Sequence, residues 1–216
     1  PFYIILGILT GLAASIFIKS LNFVEIEFEK LKIIPVPLKT CLGGLFVGAI
    51  ALSFPHILGN GFDVTSDLIS LDSNDDGDII VGENLTNDKN SESIIDDLLI
   101  FIFSIMALKI IATSVSIGSG GSGGIFTPSL FIGAAIGAGM GLFINDLGII
   151  THPGAFALVG MAAFVASTTR ATLTAIVLLF EMTATYEIIL PLMLSCVVAD
   201  ATCYVISKES AYTSKL

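Results

Sequence analysis

The chain has 216 residues, 54% hydrophobic and 13% charged, with a mean hydropathy of +0.94. A soluble domain carries roughly 25% charged residues, so this composition excludes an ordinary water-soluble surface and places the chain in the membrane class. The formal net charge is −10, but Asp63 to Asp97 hold eleven acids against one base, Lys89; the acidity belongs to one polar loop, the rest is neutral, and no basic patch of the kind that nucleic acid requires is present.

In chain order, Phe2 to Leu21 is an apolar run of the length that spans a bilayer, about 20 residues. Asn22 to Pro37 is amphipathic and charged and reads as an interfacial helix or connector. Leu38 to Pro55 is a second, glycine-rich span, and the acidic stretch follows a turn region. Ser93 to Ile117 is a long span with Lys109 inside it. A glycine- and serine-rich stretch, "GSGGSGGIFTPSL", separates it from the apolar Phe131 to Ile144. His152-Pro153-Gly154 breaks the chain, Ala155 to Ser167 is short and apolar, and Thr168 to Thr172 interrupts it. Leu173 to Ile206 is apolar again, with Glu181 and Pro191 as expected breaks, and the tail is polar. This divides the chain into 1–62 (spans and connector), 63–97 (acidic loop), 98–207 (spanning and half-spanning helices with the loop 118–130) and 208–216 (a pore-lining tail). Pro1, with no basic leader or cleavage site behind it, looks like a cut into a longer membrane protein.

Several apolar pieces are too short to span. Short, Gly- or Pro-interrupted segments point to discontinuous helices meeting near the membrane midplane, a backbone tolerated there only when protein buries it or it lines a watery cavity. The expected fold is therefore an all-α membrane protein with tilted and discontinuous helices, integral and multi-pass. Gly133, Gly137 and Gly141 recur every four residues, a spacing that lets helices approach closely in lipid; packing is their expected role. Cys41, Cys196 and Cys203 are odd in number, fit no zinc or disulfide spacing and read as buried small hydrophobes. His56 and His152, each beside a proline, read as turn residues.

Gly118, Gly120 and Gly123 formally satisfy G-x-G-x-x-G. A dinucleotide fold would need a preceding strand in a βαβ unit; here a bilayer-length segment precedes, and although Asp146 lies at a loosely suitable distance, the nucleotide reading fails. Pro128 favours the first turn of a helix, so a helix is expected to start between Ile125 and Pro128 with the glycines just before it. Its first N–H groups have no intrahelical partner, each costing several kcal/mol if left bare in hydrocarbon. A dehydrated anion would satisfy them at the positive end of the helix dipole. Amides hold a halide without a full positive charge, so the ion can leave again. A loop capped by Ser119, Ser122 or Thr127 is the equal alternative.

These residues carry a resemblance. "GSGGSGGIFTPSLFIGAAIG" resembles the G-x-F-x-P motif of the CLC chloride channel and chloride/proton antiporter family; "GAFALVGMAAFVASTTRATLTAIVLLFEMTATYEIILP" is similar to that family's stretch near its dimer interface, and "SAYTSKL" to the segment with its pore tyrosine. The likeness covers the second half of a CLC membrane domain, one half of an inverted repeat. It implies a homodimer in a lipid bilayer with one pore per subunit, and chloride as the transported ion. It also implies anion contacts at Gly124, Ile125 and Phe126, with the Ile125 and Phe126 N–H groups and the Tyr212 hydroxyl donating to the central ion. A phenol is a neutral donor on a rigid ring; without the resemblance, Tyr212 would read as an interfacial aromatic. The family's pore serine and gating glutamate motifs, which belong to the missing N-terminal half, are not in this chain, and Glu181 is not that glutamate. This segment alone is expected not to conduct, and its residues do not separate channel from antiporter. No catalytic constellation stands out, so no enzyme is expected.

The acidic loop has its own motif. "DSNDDGDIIVGE" fits the D-x-[DN]-x-[DN]-G-x5-E pattern, with Asp72, Asn74, Asp76, Asp78 and Glu83 at ligand positions and Gly77 at the turn. Oxygen donors at these spacings wrap Ca²⁺, and "VTSDLISL" offers an entering helix, whereas the exit side is a poor one. A solvated acidic loop is the competing reading. The rival to transport is a pore-less membrane Ca²⁺ sensor or scaffold.

Overall fold

The computed structural model describes residues 2–30, 36–53, 59, 61–73, 79–80, 94–147, 149, 151–183, 186–207 and 211. Among these the chain forms eight α-helices: α1 (Phe2–Lys30), α2 (Val36–Ser53), α3 (Phe62–Ile69), α4 (Ile94–Gly118), α5 (Phe126–Asp146), α6 (Pro153–Thr169), α7 (Thr172–Thr183) and α8 (Ile189–Ile206), with a 3-10 turn at Tyr186–Ile188 before α8. Two short strands, β1 (Asp72–Ser73) and β2 (Ile79–Ile80), pair antiparallel with Asp72 opposite Ile80. The architecture is the all-α membrane fold that the composition calls for. Four helices are long and apolar enough to cross a membrane: α1, α4 from Leu98, α5 and α8. α6 and α7 are apolar but shorter, and they meet at a corner inside the protein.

The core is built on α5 and α6. α6 is buried on nearly every side, as expected for a helix that is hydrophobic all round. Lipid tails are as apolar as leucine, so helices in a membrane gain most by approaching closely. The glycine row does this: a Cβ on Gly133 would lie 2.5 Å from the Gly160 carbonyl oxygen and one on Gly141 2.7 Å from Pro153 Cα, while one on Gly137 would collide with the Phe156 carbonyl. α1 crosses α8 the same way, through Gly7 and Gly11, whose added Cβ atoms would reach 2.9 Å from Ser195 O and 2.6 Å from Ala199 O. Phe17 of α1 meets Phe164 of α6 with ring centres 5.9 Å apart, and Tyr3 stacks on Phe156 at 4.8 Å. α3 docks on the start of α6, where the Gly154 N–H donates to Leu71 O at 2.9 Å.

Three expectations are corrected. The segment after Leu21 is not a separate connector: α1 runs unbroken to Lys30, where Lys30 pairs with Glu27 at 2.6 Å on the exposed end. No proline or glycine falls between Leu21 and Lys30, and solvent accepts its charges. Pro191 does not break a helix; it sits in the first turn of α8, where its missing N–H costs nothing. Cys196 and Cys203 are buried as expected, but Cys41 is exposed on α2. His152 is the N-cap residue of α6 ahead of Pro153, the turn role its neighbours suggest; His56 lies outside the described residues.

Candidate anion-binding site

The glycine stretch divides into two parts. Its first part ends α4. Gly120 takes φ 89°, the left-handed backbone that glycine adopts without strain. Gly120 N–H donates to Ile117 O at 3.0 Å and Gly121 N–H to Ser116 O at 3.1 Å, the paired 5→2 and 6→1 bonds of a Schellman C-cap. Thr40 of α2 donates from Oγ1 to Ser119 O at 3.0 Å, and Ser119 Oγ turns back to Ser116 O. The second part, Ser122 to Gly124, is exposed in this chain and leads into α5.

α5 begins at Phe126, inside the expected window, with Ile125 as N-cap and no side-chain cap on its first turn. Capping by Ser119, Ser122 or Thr127, the alternative left open by the residues, is therefore not what the chain does at this end. Pro128 brings no N–H, and the helix's own ladder starts with Ser129 N–H on Ile125 O at 3.1 Å. The Phe126 and Thr127 amides consequently have no acceptor within the helix and lie at its positive end. Ile125 is buried, and Phe126 half-buried.

Beside this turn lies a cavity of about 270 Å³, lined by Val47, Gly59, Lys109, Ala112, Thr113, Ser116, Ile117, Gly123, Gly124, Thr127 and Pro128. Gly124 is thus placed at the cavity wall, with open space where a side chain would be. The lining mixes hydroxyls, glycine backbone and one cation. Lys109 is 4% exposed; its ammonium donates to Gly59 O at 2.9 Å and lies 5.4 Å from the centre of the Phe131 ring. A charge within a spanning helix is expensive unless it serves a site. The sequence shows Lys109 inside a span without assigning it a role, although an ionisable residue in an apolar run is the signal that could have found it. Its acceptor is fifty positions away, out of reach of any local pattern.

The other expected residues are not brought to this place by anything described. Tyr212 lies outside the described residues; the N–H of Ala211 donates to Thr168 O at 3.1 Å. Of the Ca²⁺ candidates, Asp72 is described through its backbone in β1, and Asn74, Asp76, Asp78 and Glu83 lie outside the described residues. Among the described residues no group of acids, histidines and cysteines is arranged to hold a metal ion.

A second polar cluster escapes sequence reasoning altogether. Arg170, at the end of α6, has φ 60° and is the one non-glycine residue with positive φ among those described. That conformation costs a side-chain-bearing residue about 1–2 kcal/mol. Its guanidinium pairs with Asp200 of α8 at 3.3 Å.

The family description for voltage gated chloride channels matches residues 1–204. The chain belongs to this family. Among relatives, a putative chloride channel protein, ClcB-like, of Ralstonia nicotianae is 32% identical over 99% of this chain and 44% of its own length. The voltage-gated ClC-type chloride channel ClcB of Escherichia coli is 32% identical over 95% of this chain and 44% of its own length. Among solved structures, a slow cyanobacterial Cl⁻/H⁺ antiporter superposes with a TM-score of 0.70 at 30% identity, covering 99% of this chain and 45% of the other. A eukaryotic CLC transporter superposes with a TM-score of 0.74 at 24% identity, covering 98% and 33%, and supports the fold. The chain spans less than half the length of these relatives. With CLC membership and four candidate spans, it is an integral, multi-pass membrane protein.

Proposed function

We propose that the chain forms one wall of a chloride pathway: the second half of a CLC-type channel or Cl⁻/H⁺ antiporter that moves ions and performs no chemistry on a substrate. The observation that carries this reading is the juxtaposition of the uncapped α5 N-terminus with a polar cavity that a buried lysine lines. The Ile125 and Phe126 amides offer directional donors to a dehydrated anion and the helix dipole adds a fractional positive charge. Lys109, on the same cavity, raises the local anion concentration without needing to touch the ion. The Tyr212 hydroxyl supplies a further neutral donor. Each of these interactions is weak singly, which keeps residence short and conduction possible. The rest of the polypeptide supplies the opposite wall, and the protein works as a homodimer with one pathway per subunit. α7 and α8 expose Leu173, Val177, Leu190, Val197 and Val205, an apolar face suited to that contact. Family membership does not favour the pore-less Ca²⁺-sensing alternative.

The test is chloride efflux from liposomes holding the full-length protein. Lys109→Met lowers the flux about tenfold, the effect of roughly 1.4 kcal/mol, Lys109→Arg restores most of it, and Tyr212→Phe weakens the preference for chloride over nitrate. If Lys109→Met and Tyr212→Phe both match the wild type in flux and selectivity, the site is elsewhere.

A further inference from the structure

The cavity beside α5 is lined by hydroxyl groups that no described residue uses. Elsewhere on the spanning helices, buried serines and threonines turn back on their own backbone. Thr10 Oγ1 donates to Leu6 O at 2.8 Å, Ser129 Oγ to Ile125 O at 2.8 Å, Ser167 Oγ to Ala163 O at 2.7 Å and Thr168 Oγ1 to Phe164 O at 2.9 Å. Ser114 of α4 meets Ser20 of α1 at 3.0 Å instead. Among the described serines and threonines that are not exposed, Thr113, Ser116 and Thr127 are the exceptions: none of their hydroxyls has a hydrogen-bond partner among the described residues. Thr113 is only 8% exposed. Among the described residues, the polar side-chain atom that is both sealed from solvent and unpaired is Arg170 Nε. The Thr113 hydroxyl is therefore not sealed in protein; it opens on the cavity that Thr113, Ser116 and Thr127 line together.

Lys109, Thr113 and Ser116 are spaced by four and three residues, which sets them on one face of α4. At 1.5 Å per residue the row runs about 10 Å along the helix, from the ammonium to the glycine corner. Thr127 adds its hydroxyl from the first turn of α5. A buried hydroxyl without a partner is costly, and the carbonyl four residues back is within reach of any helical serine or threonine. Thr113 and Ser116 do not take it, so their donors stay available to a ligand. The walls set the sign of that ligand. Lys109 is the one charged residue of the lining, no carboxylate lines the cavity, and the amide end of α5 is positive. This field repels a cation and draws an anion, toward which a hydroxyl can turn its proton. Val47, Ala112 and Ile117 supply apolar wall, and a hydrogen bond gains strength where water is thinned out.

We propose that the hydroxyls of Thr113, Ser116 and Thr127 form an anion subsite of their own, between Lys109 and the start of α5, which takes a small monovalent anion such as a halide. It differs from the Ile125 and Phe126 site in its donors: these are side chains, and two of the three stand on α4. The inference rests on the reading of this cavity as part of a chloride pathway. Neutral donors hold the ion loosely enough for it to move on.

The test uses the full-length protein crystallised in bromide, whose anomalous scattering marks each bound ion. Wild type is expected to show a bromide within hydrogen-bond reach of Thr113 Oγ1 and Ser116 Oγ, besides one at the Ile125 and Phe126 amides. The double variant Thr113→Val/Ser116→Ala loses the first and keeps the second, whereas Thr113→Ser, which retains a hydroxyl, keeps both. In liposomes, the chloride concentration that half-saturates flux rises about fivefold in the double variant, the worth of one neutral hydrogen bond. Bromide at the amides but none in the cavity overturns the subsite and leaves the proposed function standing. Bromide in the cavity but none at the amides does the reverse: the subsite holds and the amide site falls. A cavity bromide that survives the double variant means that Lys109 holds it without these hydroxyls, and overturns the assignment. So does a cavity filled, in the full-length protein, by another part of the polypeptide. If the double variant does not fold, Thr113→Val alone carries the same measurements with the same criteria.

Discussion

Two corners break the helical run of this chain, and they solve the same problem by opposite means. At Gly118–Gly124 the chain passes from α4 to α5 on glycines, and the α5 end keeps its amides free of any side-chain cap. At Arg170–Ala171 it passes from α6 to α7 in a much shorter turn, whose backbone N–H groups go to Ala166 O and Thr169 Oγ1 and whose Arg170 and Thr172 side chains both pair with Asp200 of α8. Backbone that leaves the helical ladder inside a membrane must find partners in protein or line a cavity. The first corner takes the cavity and the second takes protein. A corner that binds a passing ion must leave donors unspent, and a corner that holds a segment in place must spend them. The difference between an open and a closed corner is therefore visible in how many polar groups each one has already committed.

The comparison breaks first at Gly121. Its N–H completes the Schellman cap on Ser116 O, and a Cβ there would lie 2.5 Å from that same oxygen. Gly121→Val displaces the cap and is expected to destabilise the full-length protein by about 3 kcal/mol, at the upper end of overpacking costs. Thermal unfolding in detergent, followed with monodispersity on a sizing column, measures this. A wild-type melting curve would mean that the closed part of the glycine corner is not closed.

The second corner gives a smaller effect. Thr172→Val removes the hydroxyl that holds Asp200 Oδ2 and leaves the Arg170 contacts in place. The loss of one hydrogen bond is worth about 1 kcal/mol, so the melting temperature falls by less than in Gly121→Val. A drop as large as that of Gly121→Val would show that Thr172 governs the whole cluster and that Arg170 has no separate part in it.

How much of this contrast the sequence announces depends on how far apart the partners lie. The start of α5 is legible because Pro128, the glycines and the apolar run are neighbours, and each restricts the same few dihedrals. The packing role of Gly133, Gly137 and Gly141 is legible from their period, since four residues return to one helix face. The Arg170–Asp200 pair is not, because the two lie on different helices thirty positions apart and neither has a charged neighbour on its own helix face. Lys109 is visible but has no place in the sequence reading, since Gly59 reaches it only through the fold. The length of α1 is misread because charges at Glu25, Glu27 and Glu29 resemble a boundary, whereas a helix emerging into water tolerates them.

The finest test separates two glycines of the same loop. Gly124 lines the cavity, a Cβ added to it would meet no atom within 4 Å, and its backbone is not in the left-handed region. Gly124→Ala should therefore leave stability within about 0.5 kcal/mol of wild type, unlike Gly121→Val three positions earlier. Its methyl would, however, stand in the space that the ion is proposed to cross, so chloride flux in liposomes should fall while the melting curve stays put. A stable variant with unchanged flux would mean that the cavity is not on the ion's route. An unstable one would mean that Gly124 belongs to the α4 cap and that the loop has no open part. A fall in flux at constant stability is the result that sets the amides of Ile125 and Phe126 beside a working pathway, because it isolates access to them from the folding of the helix that carries them.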